Sequence, residues 1–118
     1  FFKELAIPKP DYNLGISGGT HSQMTGRMMI AVEDVLVKEK PDWLLVYGDT
    51  NSTLAAALAA AKLHIPVCHV EAGGRTHSKT NPEEINRICT DHVSTLLLAS
   101  TESCMEDMAK EGLSGRGV

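Results

Sequence analysis

The chain has 118 residues, enough for one small domain that would bury roughly two thirds of its unfolded surface. Its composition, with 42% apolar and 22% charged residues, is typical of a globular protein. A net charge of −4 without a basic cluster argues against nucleic acids and acidic membrane surfaces as partners. No apolar run approaches the roughly 20 residues of a membrane span, so the sequence predicts no membrane segment.

Two further features concern the compartment and the length of the protein. The three cysteines, Cys68, Cys89 and Cys104, lie on separate predicted elements and lack the spacing of a metal site. Unpaired thiols of this kind are typical of a reducing compartment, so we expect a cytoplasmic protein. The chain lacks an initiator Met, residues 1–5 resemble the end of a helix, and the last residues follow another helix. We therefore expect it to be part of a longer protein.

Predicted strands and helices alternate along the chain. Residues 12–17 (YNLGIS) are short and apolar, which predicts a strand that ends at Gly18. The later strands are apolar throughout, as parallel strands covered on both faces should be. The alternation predicts an α/β fold with a doubly wound parallel sheet in three layers. Helices are predicted at residues 23–40, 51–64, 82–94 and 101–111, and the later strands at residues 42–47, 65–70 and 95–99.

Three acidic residues mark one edge of this predicted sheet. Asp49 and Glu71 each follow a predicted strand, and Glu83 lies in the first turn of the helix that comes next. Ligands of open α/β sheets bind at the carboxyl ends of the strands, where the following helices begin. We therefore expect Asp49, Glu71 and Glu83 to converge on one crevice, where carboxylates can hold a sugar hydroxyl or move a proton.

The first two acids also have purely structural interpretations. Asp49 precedes a predicted helix and could cap it by accepting a hydrogen bond from a backbone N–H. Glu71 opens no helix, but it could form a salt bridge with Arg75 or Arg87. An acid without a partner is costly to bury and is typical of a functional site. Both interpretations stay open for both residues.

The third predicted helix begins with a capping pattern. Asn81 at the N-cap, Pro82 at the first helical position and Glu84 three residues after the cap form a capping-box arrangement. This pattern assigns Glu84 to the helix start and leaves Glu83 free to face the crevice. The stripe of the same helix that we expect to face the core consists of Ile85, Ile88, Cys89, His92 and Val93.

Other residues are weaker candidates for ligand contacts. Residues 15–20 (GISGGT) resemble a glycine-rich phosphate loop but lack the G-x-G-x-x-G spacing, so a tight turn is the favoured interpretation. His69, inside a buried strand, is interpreted as a hydrogen-bonded core imidazole. His21 and His77 lie in predicted loops, from which either could reach a ligand. No Ser-His-Asp or zinc arrangement can be assembled from the sequence.

Four blocks of sequence occur in order between residues 46 and 92. VYGDTNST begins at Val46, IPVCHVEAG at Ile65, PEEINR at Pro82 and TDH at Thr90. Together they resemble the non-hydrolysing UDP-N-acetylglucosamine 2-epimerases, and the likeness extends from residue 11 to residue 112. The block SGGTHSQM, which begins at Ser17, resembles the corresponding stretch of one branch of that family.

The resemblance implies a fold, a reaction and a set of residues. The fold is two Rossmann-like domains of the glycosyltransferase-B type, with a UDP-sugar between them. The reaction interconverts UDP-GlcNAc and UDP-ManNAc without NAD, another cofactor or a metal. UDP is eliminated to leave a 2-acetamidoglucal and is added back after inversion of C2. By motif match the catalytic carboxylates are Asp49, Glu71 and Glu83, and the expected substrate-binding residues are Thr50, Arg75 and Arg87.

The resemblance further implies a cytoplasmic, homodimeric parent isomerase that supplies precursors of surface polysaccharides. The chain would be part of its N-terminal domain, without the first two strands and the whole C-terminal domain. The missing strands would lie between residues 12–17 and residues 42–47 in the sheet. We expect the 118 residues alone to have no epimerase activity.

The sequence also departs from the family, and two other functions stay open. Gly74 replaces the bulky apolar residue that usually follows Ala-Gly, and residues 77–81 (HSKTN) differ from the usual aromatic- and Met-containing stretch. A related hydrolysing epimerase would use the same crevice and release free ManNAc and UDP. A non-catalytic module would hold a nucleotide-sugar without converting it.

Overall fold

The computed structural model describes Tyr12 and residues 14–117. The four predicted helices and the last three predicted strands are confirmed with small shifts at their ends, and the helix end expected at residues 1–5 lies outside this range. No helix of the described residues is both long and apolar enough to cross a bilayer. In chain order the elements are α1 (His21–Glu39), β1 (Leu44–Tyr47), α2 (Asn51–Lys62), β2 (Val67–Ala72), α3 (Pro82–Val93), β3 (Leu96–Ala99), α4 (Glu102–Lys110) and a short 3-10 helix (Ser114–Arg116).

The strands form one parallel sheet in the order β1-β2-β3. Each step to the next strand passes through a helix, as parallel pairing requires. Val46 lies beside His69 and His69 beside Leu97, so these three side chains share one face of the sheet. Helix α2 packs on this face because its small side chains allow a close approach to Val46. The buried alanines of α2 are Ala55, Ala57, Ala59 and Ala60.

The opposite face of the sheet is less covered. Leu45 and Tyr47, which alternate with Val46, are 49% and 62% exposed. The predicted α/β class with a parallel sheet is confirmed. Among the described residues, however, no second layer of helices buries these two side chains, and β1 is an edge strand.

The predicted strand at residues 12–17 is wrong. Tyr12 and residues 14–17 have irregular backbone, and Asn13 lies outside the described residues. A strand needs a neighbour that satisfies its backbone hydrogen bonds, and the three-stranded sheet does not include this segment. The Tyr12 hydroxyl instead donates to the carboxylate of Glu39 at the end of α1.

The glycine-rich segment before α1 forms a turn and a helix cap. Gly18 and Gly19 have φ values of 77° and 86°, in the left-handed region that favours glycine. The Thr20 hydroxyl accepts from the Gln23 N–H at 3.1 Å, and the Gln23 side chain accepts from the Thr20 N–H at 3.0 Å. This capping box supports the tight-turn interpretation, and it makes His21 a helix residue, contrary to its predicted loop position.

Helix α3 presents a polar face to the core, so the predicted inward stripe is largely wrong. Val93 packs against the core, but Ile85, Cys89 and His92 are exposed. The orientation follows from hydrogen bonds that the buried Glu84, Asn86 and Asp91 side chains form with neighbouring segments, because an unpaired buried carboxylate would be far more costly than an exposed apolar side chain. The buried residues of α3 are Glu84, Asn86, Thr90 and Asp91.

Candidate functional site

A cleft of about 540 Å³ lies at the carboxyl ends of β1 and β2. Asp49 and Glu71 both line it, so the structure brings these two predicted site residues together. Glu83 lies on the first turn of α3 and is not among the described residues that line the cleft, so its convergence stays a prediction. The lining residues are Gly48, Asp49, Glu71, Gly74, Arg75, Thr76, Arg87, Ser100 and Cys104.

Asp49 is an ion-pair partner and not the cap of α2. The cap is Thr50, whose hydroxyl accepts from the Thr53 N–H at 3.3 Å. The Asp49 carboxylate oxygen Oδ2 accepts from Nη2 and Nε of Arg87 at 2.8 and 3.1 Å. This two-point contact fixes the orientation of Asp49 at the rim of the cleft. Thr50 is occupied by the helix start and does not line the cleft, so its role in substrate binding stays a prediction.

Helix α3 supports the Asp49 turn from two consecutive residues. Arg87 contacts Glu84 at 3.2 Å in addition to Asp49. The Asn86 amide donates to the Asp49 carbonyl at 3.0 Å and to the Asn51 side chain at 3.1 Å. The buried polar face of α3 therefore holds the backbone on which Asp49 stands. Asn86 was not predicted, since an Asn in a helix carries no distinctive local signal.

Glu71 is exposed in the cleft and stands on unusual backbone. It lies inside β2, where the pairing register shifts between Val70 and Ala72, and its φ is 71°. A non-glycine residue in the left-handed region at a bulge is strained, and such strain is concentrated at functional sites. The salt-bridge interpretation is wrong for the described residues, because Arg75 and Arg87 each pair with other carboxylates.

Glu84 orders the loop before α3 and takes no part in a capping box at the start of the helix. Its carboxylate accepts from the N–H groups of Thr76 and His77, the latter at 2.8 Å, while the Asn81 side chain makes no capping bond. Burial raises the pKa of Glu84, but these backbone donors and Arg87 outweigh it and lower the pKa overall. The capping-box prediction is wrong because these more distant N–H groups provide stronger partners than the helix start.

Arg75 belongs to a buried charge cluster that the sequence did not reveal. Its side chain is 2% exposed and contacts Asp91 at 2.9 Å. It also donates from Nε and Nη2 to the two carboxylate oxygens of Glu111, at 2.8 and 2.9 Å. The guanidinium is thus already paired with two carboxylates, and its role in substrate binding stays a prediction.

The remaining histidines divide between core and periphery. His69 is fully buried and hydrogen-bonded, which confirms its interpretation as a core imidazole. His21 hydrogen-bonds Asn51 at 2.9 Å, and His77 is an exposed residue 3.6 Å from Asp107. Neither His21 nor His77 lines the cleft that contains Glu71.

Glu111 should make the stability of the fold depend on acid pH. Arg75 lowers the pKa of Glu111 from 4.5 to about 2, and the side chain is 27% exposed. Because the folded-state pKa is depressed, this stabilisation is present above pH 4.5 and is lost as the pH falls towards about 2. The unmodified chain should lose unfolding free energy as the pH falls from 4.5 to about 2. In Glu111→Gln this loss should be smaller, by on the order of 2 kcal/mol. Urea unfolding followed by circular dichroism measures it.

The matched control for this prediction is Glu106→Gln. Glu106 is exposed on α4 and forms no ion pair within the described residues. It should leave the acid dependence unchanged. Equal pH dependence in Glu111→Gln and the unmodified chain would contradict the assignment.

Comparison with known proteins places the chain in one family. The family model described as UDP-N-acetylglucosamine 2-epimerase matches residues 1–118. The UDP-2,3-diacetamido-2,3-dideoxy-D-glucuronate 2-epimerase of Pseudomonas aeruginosa is 60% identical over 95% of this chain and 32% of its own length. The UDP-N-acetylglucosamine 2-epimerase of Methanocaldococcus jannaschii is 54% identical over 96% of this chain and 31% of its own length.

Solved structures agree with the sequence comparison. The crystal structure of the M. jannaschii UDP-GlcNAc 2-epimerase in complex with UDP-GlcNAc and UDP has a TM-score of 0.96 and 51% identity over 99% of this chain and 33% of that chain. The Neisseria meningitidis enzyme bound to UDP-GlcNAc has a TM-score of 0.91 and 37% identity over the same shares. These neighbours have the two-domain, glycosyltransferase-B-like fold. The chain spans about a third of the length of the relatives it matches.

Proposed function

Because the chain belongs to the UDP-N-acetylglucosamine 2-epimerase family, we propose that it is part of a cytoplasmic isomerase that inverts C2 of a UDP-linked 2-acetamido sugar. It would be a partial N-terminal Rossmann-like domain, and a second domain would complete the cleft around the nucleotide. The observation that carries the proposal is the meeting of Asp49 and Glu71 in one cleft, with Glu71 exposed on strained backbone.

The environments of the two carboxylates suggest different tasks. Asp49 is paired with Arg87, which orients it and suits a group that accepts a hydrogen bond from a sugar hydroxyl. Glu71 is exposed in the cleft and has no cationic partner among the described residues, which suits a group that exchanges a proton with the substrate. In the proposed reaction a base removes the C2 proton as the bond from C1 to UDP breaks. UDP then adds back to C1, and C2 receives a proton on the opposite face.

Two substrates fit this chemistry. UDP-GlcNAc is the substrate implied by the names of most of the relatives, and we propose it as the first candidate. The Pseudomonas aeruginosa relative, at 60% identity, is named for UDP-2,3-diacetamido-2,3-dideoxy-D-glucuronate. The two sugars share the 2-acetamido group and the UDP leaving group, and they differ at C3 and C6. Catalysis at C2 by Asp49, Glu71 and Glu83 would be common to both.

The test incubates the full-length protein with each UDP-sugar in deuterated water. A product that NMR shows to be inverted at C2 and to carry deuterium there would support the epimerase function. Release of free ManNAc and UDP would instead identify the hydrolysing alternative. Binding of the UDP-sugar without deuterium exchange or a new product would identify a non-catalytic module.

The isolated 118-residue chain should not turn over either UDP-sugar. Its cleft is formed at one edge of a three-stranded sheet, and a site that lacks part of its enclosure cannot hold the sugar in a reactive geometry. The measurement is a coupled assay for the product, run under conditions in which the full-length protein is active. Turnover above the rate of an Asp49→Asn, Glu71→Gln double variant of the same chain would contradict this expectation.

A further inference from the structure

His69 lies where both of its ring nitrogens face hydrogen-bond acceptors. The side chain is fully buried in β2. Its Nδ1 lies 2.5 Å from Oδ1 of Asp91, and its Nε2 lies 2.7 Å from the carbonyl oxygen of Gly48. A carbonyl oxygen cannot donate, so Nε2 must carry a proton.

The Asp91 carboxylate is in its ionised form, so Nδ1 must carry a proton as well. Its other oxygen, Oδ2, accepts from the Gly73 N–H at 2.9 Å and lies 2.9 Å from Arg75. The Gly73 N–H and the Arg75 cation at Oδ2 both stabilise the charged carboxylate, so the proton between Oδ1 and Nδ1 lies on the ring. The ring therefore donates from both nitrogens, which is the bonding pattern of an imidazolium.

These contacts bracket the strained residue of the cleft. Asp91 binds the side chain of His69 and the backbone N–H of Gly73, which lie two residues before and two residues after Glu71. Gly73 is closely packed on its other side, because a Cβ there would lie 2.6 Å from the Cys104 carbonyl oxygen. The positive φ of Glu71 is thus confined between two fixed points. The second nitrogen of His69 holds the carbonyl directly before Asp49.

We propose that His69 is a positioning residue that, as an imidazolium bound to Asp91, fixes the backbone beneath both cleft carboxylates, Asp49 and Glu71. This inference rests on the proposed function only for its effect on turnover. The hydrogen bonds of His69 to Asp91 and Gly48 do not depend on that function. His69 does not touch the cleft, and it acts through the two turns that it connects.

The Asp91 carboxylate favours the cationic form of the ring, and the Arg75 cation opposes it. Asp91 from α3 and Arg75 from the loop after β2 are the charged groups near the ring, and Glu111 neutralises Arg75 from the far side. From the turn after β1 the Gly48 carbonyl accepts from the ring. Burial lowers the pKa of His69, but the hydrogen bonds to Asp91 and Gly48 outweigh it and raise the pKa above 6.5. The resulting stabilisation is complete below pH 6.5 and is lost as the pH rises through the raised value.

The first test observes the ring directly. In full-length protein with ¹⁵N-labelled histidine, the His69 resonance, assigned by its loss in His69→Gln, should show two protonated nitrogens at pH 7. In Asp91→Asn the same resonance should change to that of a neutral ring. A neutral His69 in the unmodified protein at pH 7 would overturn the inference.

The second test measures positioning through turnover and backbone protection. His69→Gln should lower kcat by about 10- to 100-fold and change KM by less than about threefold, because the carboxylates are displaced while binding groups remain. Hydrogen exchange of the backbone amides at residues 71–73 should become at least about tenfold faster. His64→Asn is the control, since His64 is exposed, lies before β2 and tolerates Asn at its φ of 61°.

The outcomes separate this inference from the proposed function. Absence of turnover in the unmodified protein would contradict the function, while the ring protonation and the amide exchange would still decide the positioning role. An unchanged kcat with slow exchange in His69→Gln would overturn the inference and leave the function intact. If His69→Gln does not fold, the His69 resonance is assigned by its change in Asp91→Asn, and the ¹⁵N spectrum of the unmodified protein decides.

Discussion

Replacing Glu71 by Gln in the full-length protein should lower kcat by about 10²- to 10⁴-fold, the range expected when a general acid or base is removed. Gln has the size and shape of Glu but cannot exchange a proton at neutral pH. Glu71 stands exposed in the cleft, and no cation within the described residues holds its carboxylate. The loss should therefore fall on the chemical step, with KM for the UDP-sugar changed by less than about threefold.

The same substitution should leave the fold intact. Glu71 is exposed and its carboxylate forms no hydrogen bond within the described residues, so the free energy of unfolding should change by less than about 0.5 kcal/mol. Glu33→Gln, an exposed position on α1, is the matched control and should retain full turnover. Unchanged turnover in Glu71→Gln would favour a module that binds the nucleotide-sugar without catalysis.

The elements that the sequence predicts well are those with strong local signals. Helix α2 follows a Thr cap and contains a run of alanines, so propensity, capping and packing on the sheet all indicate the same structure. The segment at residues 12–17 is short and apolar, as a strand should be, but its described residues form no strand. A strand depends on a neighbour far away in sequence, which local composition does not specify.

The candidate site likewise contains residues that the sequence predicts and residues that it does not. Asp49 and Glu71 are found from the sequence because the ends of parallel strands meet at one edge of a sheet. Asp91 and Asn86 are missed because periodicity predicts that the apolar stripe of α3 faces inward, whereas the helix buries its polar face. Glu84 matches a local capping pattern, but its partners are the N–H groups of a loop. Long-range hydrogen bonds therefore decide what the local patterns leave open.

Asp91→Asn should lower the free energy of unfolding by about 3–5 kcal/mol, as expected when one partner of a buried ion pair is removed. Asn fills the same volume, so no cavity contributes to the loss. Three donors converge on the Asp91 carboxylate, from His69, Gly73 and Arg75. The neutral amide can accept from some of them only, and it leaves Arg75 with Glu111 as its remaining carboxylate and His69 with no carboxylate partner among the described residues.

The loss should also depend on pH in a specific direction. Without Asp91, burial favours the neutral form of His69, so the folded variant binds fewer protons than the unfolded chain below pH 6.5. The difference in unfolding free energy between variant and unmodified protein should therefore widen as the pH falls from 8 to about 5.5. Urea titrations at the two pH values measure it, with Asp34→Asn, an exposed residue of α1, as the control. A difference below about 1 kcal/mol, or one that is equal at both pH values, would show that Asp91 does not hold His69 as a cation.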